Sequence, residues 1–148
     1  MLFGFDFPKV NFVDGWEVRP SLSVSQNSDR TQVLLIIQQY FGCGRIRPDR
    51  SDKTLKWEVR NITFLLDEVI PHFDTYPLLS GKQCDFEAFA DICQRMRRGE
   101  HLRSEGLIGI VNIAKDMNPS GKRGYAPETI IDELIRDEGI VCSFGNKG

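Results

Sequence analysis

The sequence predicts an α+β domain: a four-stranded antiparallel sheet with its helices on one face. Segments that alternate apolar and polar residues come in hairpin pairs, and helical apolar spacing follows each pair. The chain has 148 residues, 41% of them hydrophobic and 27% charged, which is enough to bury one sizeable core. A single domain over 1–138 with a loosely held tail over 139–148 is the expected organisation.

The first strand is expected at Phe3, Phe5 and Phe7, which recur at period two with Gly4 and Asp6 between them. Pro8 has no N–H to give a ladder and limits pairing near that strand's end. Asp14-Gly15 supplies hairpin-turn chemistry. The second strand runs from Trp16 to Gln26, with Trp16, Val18, Pro20, Leu22 and Val24 inward and Glu17, Arg19, Ser21, Ser23 and Ser25 outward. The next stretch, DRTQVLLIIQQYFG, has Val33, Leu34, Ile37, Tyr40 and Phe41 at helical spacing. Ser28 or Asp29 is its expected N-cap and Gly42 its stop.

A second hairpin follows. Ile46, Leu55, Trp57 and Val59 face the core, while Arg45, Arg47, Asp49, Lys56, Glu58 and Arg60 face away around a turn at Arg50 to Lys53. Further helices are expected at Ile62–Ile70, ended by Pro71, at Gln83–Arg97 with Phe86, Phe89, Ala90 and Cys93 inward, at Ser104–Met117 and at Pro127–Asp137. NPSGKRGY between the last two reads as a loop.

The net charge of −2 excludes a chain coated all over with positive charge. Its distribution says more. Between Arg45 and Arg60 stand six basic residues against three acidic ones, a local excess of three that could meet phosphates. With Arg19, Ser21, Ser23 and Ser25, the outer sheet face offers guanidinium, ammonium and hydroxyl groups suited to phosphates and base edges, and a β-ribbon fits a major groove. The DNA-contact candidates are therefore Arg19, Ser21, Ser23, Ser25, Arg45, Arg47, Arg50, Lys53, Lys56, Glu58 and Arg60. Cys43, Cys84, Cys93 and Cys142 are scattered without a CxxC pair, and with only His72 and His101 beside them they make no metal site. They read as reduced thiols of an intracellular protein, in a bacterial cytoplasm or an organelle. No run of about 20 apolar residues and no leader-like start is present.

Several blocks, taken together, carry a resemblance. GWEVRPSLSVSQ, YFGCGRIRPDRSDKTLKWEVR, VIPHFDTYPLLSGKQCDF and the run from GEHLRSEGL to MNPSGKR resemble, in order, the single-motif LAGLIDADG homing endonucleases of mobile introns, from Trp16 to Arg123. The resemblance implies a saddle whose sheet lies along the major groove of double-stranded DNA. Two copies or fused halves pair through helices bearing the motif, and an acidic residue ending each motif helix holds the divalent metal, usually Mg²⁺, that serves phosphodiester cleavage. By the same resemblance, Gln26, Arg30 and Lys82 match residues that organise water and neutralise charge around the scissile phosphate. Phe3 to Phe7 matches the strand that follows the motif helix. That helix would then fall before Met1, leaving a DNA binder impaired in cleavage, with no metal ligand of its own and Mg²⁺ needed only if it is active.

The alternative is an active Mg²⁺-dependent homing endonuclease. Its acid would be supplied by an upstream helix omitted from this sequence or, in a rival register that reads Phe12-Val13-Asp14-Gly15 as the motif's end, by Asp14 or Glu17. The resemblance also admits binding of intron RNA, since relatives act as maturases. A homodimer is expected if Phe3, Phe5 and Phe7 lose the cover of a motif helix, unless Pro127–Asp137 replaces it.

Overall fold

The computed structural model describes residues 1–10, 15–50, 52–117 and 127–137. Four strands form one sheet in the order β1-β2-β4-β3: β1 Leu2–Asp6, β2 Arg19–Asn27, β3 Arg45–Pro48 and β4 Thr54–Val59, every pairing antiparallel. Phe3 lies opposite Leu22 and Leu22 opposite Val59, while Val24 lies opposite Trp57 and Trp57 opposite Ile46. Side chains alternate faces at each residue, so this register gathers one apolar face. Asp6 closes β1, as Pro8 requires, and the hairpin continues through a Lys9–Trp16 bridge. Strand β2 starts at Arg19, later than expected, because Trp16 joins that single bridge instead of the ladder. The Asp14 part of the turn lies outside the described residues, as do the expected loop over 118–125 and the tail.

A 3-10 turn, Ser28–Arg30, leads into α1 (Thr31–Phe41). Neither Ser28 nor Asp29 caps it through its side chain; the tight turn leaves Thr31 Oγ1 to donate to the Ser28 carbonyl at 2.8 Å. Gly42 closes α1 at φ 67°, its N–H reaching the Gln38 carbonyl at 2.9 Å. The expected stop at Pro71 is not observed. Instead α2 (Ile62–Phe64), a π-helical turn (Leu65–Val69) and α3 (Ile70–Thr75) run on continuously. The wider turn sits just where a proline has no N–H to bond back and its ring would crowd a carbonyl, so the chain passes Pro71 without breaking. It also turns Leu65, Leu66 and Val69 all into the core.

Helix α4 spans Gly81–Arg97, α5 Ser104–Lys115 and α6 Pro127–Asp137. The phenylalanines of β1 are covered from within. Phe3 is fully buried, with Phe89 at 5.1 Å, Phe86 at 5.8 Å and Phe73 at 6.1 Å between ring centroids, and Phe5 lies 5.1 Å from Phe89. Burying one such ring contributes about 2–3 kcal/mol. Of the rings behind the expected homodimer, Phe3 thus has a cover within the chain, while Phe5 and Phe7 are half-buried. Helix α6 packs on α5, burying Ile130 and Leu134, and its Glu133 pairs with Lys9 of the first hairpin at 3.0 Å.

Candidate nucleic-acid interface

The face of the sheet opposite the core is hydrophilic, and its register can be read across the strands. Ser23 lies opposite Glu58 and Glu58 opposite Arg45; Ser25 lies opposite Lys56 and Lys56 opposite Arg47; Asp6 lies opposite Arg19. Residues of one face stand about 6.7 Å apart along a strand and about 5 Å apart across it, so Arg45, Arg47, Lys56 and Arg60 form one patch.

That patch is threaded by ion pairs. Arg47 meets Glu58 at 2.9 Å and Arg60 meets it at 2.5 Å, Arg60 also reaches Asp6 at 3.4 Å, Lys56 meets Asp49 at 3.1 Å, and Arg19 meets Glu17 at 2.9 Å. Pairs as exposed as Arg19–Glu17 add little stability. Glu58 is different. Its side chain is 9% exposed; burial opposes its charge, but hydrogen bonds from Arg60 and Arg47 outweigh that and hold its carboxyl below the usual value. Two expected contacts are corrected here. The oxygens of Glu58 are occupied by arginines, so it does not face a ligand freely. Ser23 is only 6% exposed, because the smallest polar side chain in this row sits between Leu2 and Glu58.

Arg50 and Lys53 are exposed at the β3–β4 turn, where Asp52 Oδ1 accepts from the Thr54 N–H at 3.0 Å and the Asp49 N–H donates to the Thr54 carbonyl at 3.0 Å. That turn shares an end of the sheet with Gln26 and Asn27, since Asn27 lies opposite Thr54. Gln26 has the parity of Leu22 and Val24, so it points to the helix side of that end. Arg30 is exposed in the 3-10 turn just beyond, and no ion pair holds it among the described residues.

Lys82 stands on α4. Burial first, then the Lys82 ammonium, lower the Met1 amine below its ordinary value, which puts Lys82 within electrostatic reach of the start of β1. The loop before it is constrained: Ser80 sits at φ 57°, ψ −145°, a region costly for a residue with a Cβ, and the Gln83 side-chain oxygen accepts from the Leu78 N–H at 2.9 Å. Gln83, Asp6 and Asp49, which hold this loop and pair with Arg60 and Lys56, are not among the candidates the sequence singles out. Nothing in their local pattern distinguishes them from solvated surface residues.

The rival acid, Glu17, is at the wrong end. Arg19 and Gln26 stand at opposite ends of β2, about 23 Å apart at 3.3 Å per residue, and Glu17 lies beyond Arg19. Asp14 is outside the described residues. The Gln26 end carries that residue's amide and the Arg30 guanidinium, and on α4 Lys82 pairs with Asp85 at 3.7 Å. Among the described residues no three His, Cys, Asp or Glu side chains gather. Hard divalent cations take oxygen ligands, and the carboxylates described at this end are Asp29 in the 3-10 turn and Asp49 and Asp52 in the β3–β4 turn, with Asp49 paired to Lys56 at 3.1 Å. No helix of the described residues is long and apolar enough to cross a membrane.

Sheet, helices and a guanidinium-rich outer face define a domain of the homing-endonuclease fold. The chain belongs to the LAGLIDADG endonuclease family, whose profile matches residues 8–93. It is 35% identical over 129 residues to the homing endonuclease I-ApeII of Aeropyrum pernix, covering 83% of this chain and 75% of that protein. It is 32% identical over 105 residues to a probable intron-encoded endonuclease of Neurospora crassa, covering 70% of this chain but only 23% of that relative's length. Among solved structures, I-TnaI superposes with a TM-score of 0.77 at 31% identity, covering 90% of this chain and 87% of that one. I-LtrWI bound to its target DNA superposes at 0.76 and 33%, covering 79% of this chain and 40% of that one. At 24% identity, I-Vdi141I shares the fold, with a TM-score of 0.81.

Proposed function

We propose that this chain binds double-stranded DNA with the outer face of its sheet in the major groove. One observation carries the reading: the register that buries Phe3, Leu22, Trp57 and Val59 brings Arg19, Arg45, Arg47, Lys56 and Arg60 onto the other face. The solved relative I-LtrWI in complex with its target DNA supports it. The outward positions of β2 from Arg19 to Asn27 extend about 27 Å, which matches roughly eight base-pair steps of 3.4 Å.

Gln26, Arg30 and Lys82 serve, in this reading, as the charge-neutralising side of a cleavage centre. Guanidinium, ammonium and amide groups suit a transition state that spreads negative charge over phosphoryl oxygens. In this reading the acid of the motif helix is not among the described residues, and DNA binding without unaided cleavage is the activity assigned to them.

The test is fluorescence anisotropy of labelled duplex and of structured RNA of equal length, with the same duplex incubated with Mg²⁺ and run on a gel. Affinity for duplex is expected to fall steeply with salt, because neutralised phosphates release counterions. Tight RNA binding with no affinity for duplex would overturn the reading, and cleavage by the chain alone would overturn its second half.

A further inference from the structure

Two guanidinium groups clamp one carboxylate on the outer face of the sheet, and a third arginine stands across the strand from it. Arg47 Nη2 donates to Glu58 Oε2 at 2.9 Å and Arg60 Nε donates to Oε1 at 2.5 Å, so each oxygen holds one arginine. Arg45 stands directly across the strand from Glu58, yet it is exposed and no ion pair holds it among the described residues. Beside it, Gly44, Arg45, Arg47, Glu58, Arg60 and Phe64 contribute to the lining of a cavity of about 580 Å³ against the edge strand β3.

By charge alone, Glu58 is a liability on a face meant for DNA, since a carboxylate repels phosphates. What it returns is order. A free arginine side chain gives up rotamer freedom when fixed, and reading guanine needs its planar fork held in one orientation. A carboxylate that clamps the guanidinium beforehand removes much of that loss. A phosphate contact asks for much less, because a point charge suffices.

We propose that Glu58 is a positioning residue that divides the three arginines by task. Arg47 and Arg60, clamped, read base edges; Arg45, unclamped, takes a backbone phosphate at the wall of the groove. The proposal rests on the duplex-binding reading above.

The experiment passes a library of randomised DNA duplexes over the protein, sequences the bound fraction, and measures anisotropy on one random duplex across roughly 50–200 mM salt. Glu58→Gln should bind the random duplex as tightly as the parent or more tightly, having lost a negative charge. Its preference for particular bases should drop about tenfold or more. Arg47→Lys and Arg60→Lys, which keep the charge, should lose preference with the salt slope unchanged. Arg45→Ala should weaken all sequences alike and reduce the slope by about one, and Arg45→Lys should restore both.

Thermal unfolding of each variant accompanies the binding data. A merely structural Glu58 would lower the melting temperature while leaving the base preference of the folded protein intact, and that result overturns the proposal. So does a loss of base preference in Arg45→Ala. A parent protein with no salt-dependent affinity for any duplex would instead overturn the duplex-binding reading itself, a different and recognisable outcome.

Discussion

Gly44→Ala tests how the floor of the guanidinium patch is held. Gly44 sits at φ 90°, immediately before Arg45, and a Cβ there would lie 2.3 Å from Trp57 Nε1, 2.7 Å from Cε2 and 3.0 Å from Val59 Cγ2. The indole cannot simply move away. Trp57 is fully buried, stacks on Phe41 with centroids 5.5 Å apart, and donates its Nε1–H to the Cys43 carbonyl at 3.0 Å. The positive φ costs an alanine about 1 kcal/mol. Forcing a methyl into a packed core costs about 1–3 kcal/mol, and losing the buried indole hydrogen bond about 1–2 kcal/mol. Together these destabilise by about 3–6 kcal/mol, a fall of roughly 10–20 °C in melting temperature for a domain of this size. Gly42→Ala is the control, with φ 67° and nothing within 4 Å of the added carbon. It should lose only about 1 kcal/mol. Thermal unfolding followed by circular dichroism, with a urea titration to confirm an unchanged m-value, measures both. Equal small losses in the two variants would refute the packing of Trp57 against Gly44.

Phe89→Ala should destabilise by about 3–5 kcal/mol, because the ring is fully buried against Phe3 and Phe5, and urea midpoints would show it. Of Cys43, Cys84 and Cys93, only the exposed Cys84 should label readily with a thiol reagent in the folded protein; burial pushes the Cys93 thiol up to about 12, and peptide mapping reads the pattern. Burial lowers His101 below its ordinary 6.5, so the unfolded chain binds the proton first: its contribution is full above that pH and is lost as pH falls through the folded value. His101→Gln should flatten that part of a melting-temperature profile. Glu58 is held below 4.5 in the folded protein, so its contribution is lost as pH falls from there, and Glu58→Gln should remove that part of the acid limb.

The two hairpins were legible because period-two alternation and turn chemistry are local signals, and the outward Arg45, Arg47, Lys56 and Arg60 follow from parity once the apolar residues are turned inward. The passage of helix through Pro71 was not legible. It depends on a π turn favoured by burying Leu65, Leu66 and Val69 together, a tertiary gain that outweighs the local preference to stop. The grouping of Lys82 with Gln26 and Arg30 is an expectation from the resemblance alone, because the local sequence does not say where α4 lies against β1.

Which residues share a face was thus written in the sequence, since each strand fixes it residue by residue. Which of those residues are free was decided by the tertiary structure. Glu58 and Ser23 looked as available as Arg45, and only the neighbouring strands, setting arginines on one and Leu2 beside the other, took them out of reach. Contact between strands distant in sequence is a property of register, and register is settled by the packed core as a whole.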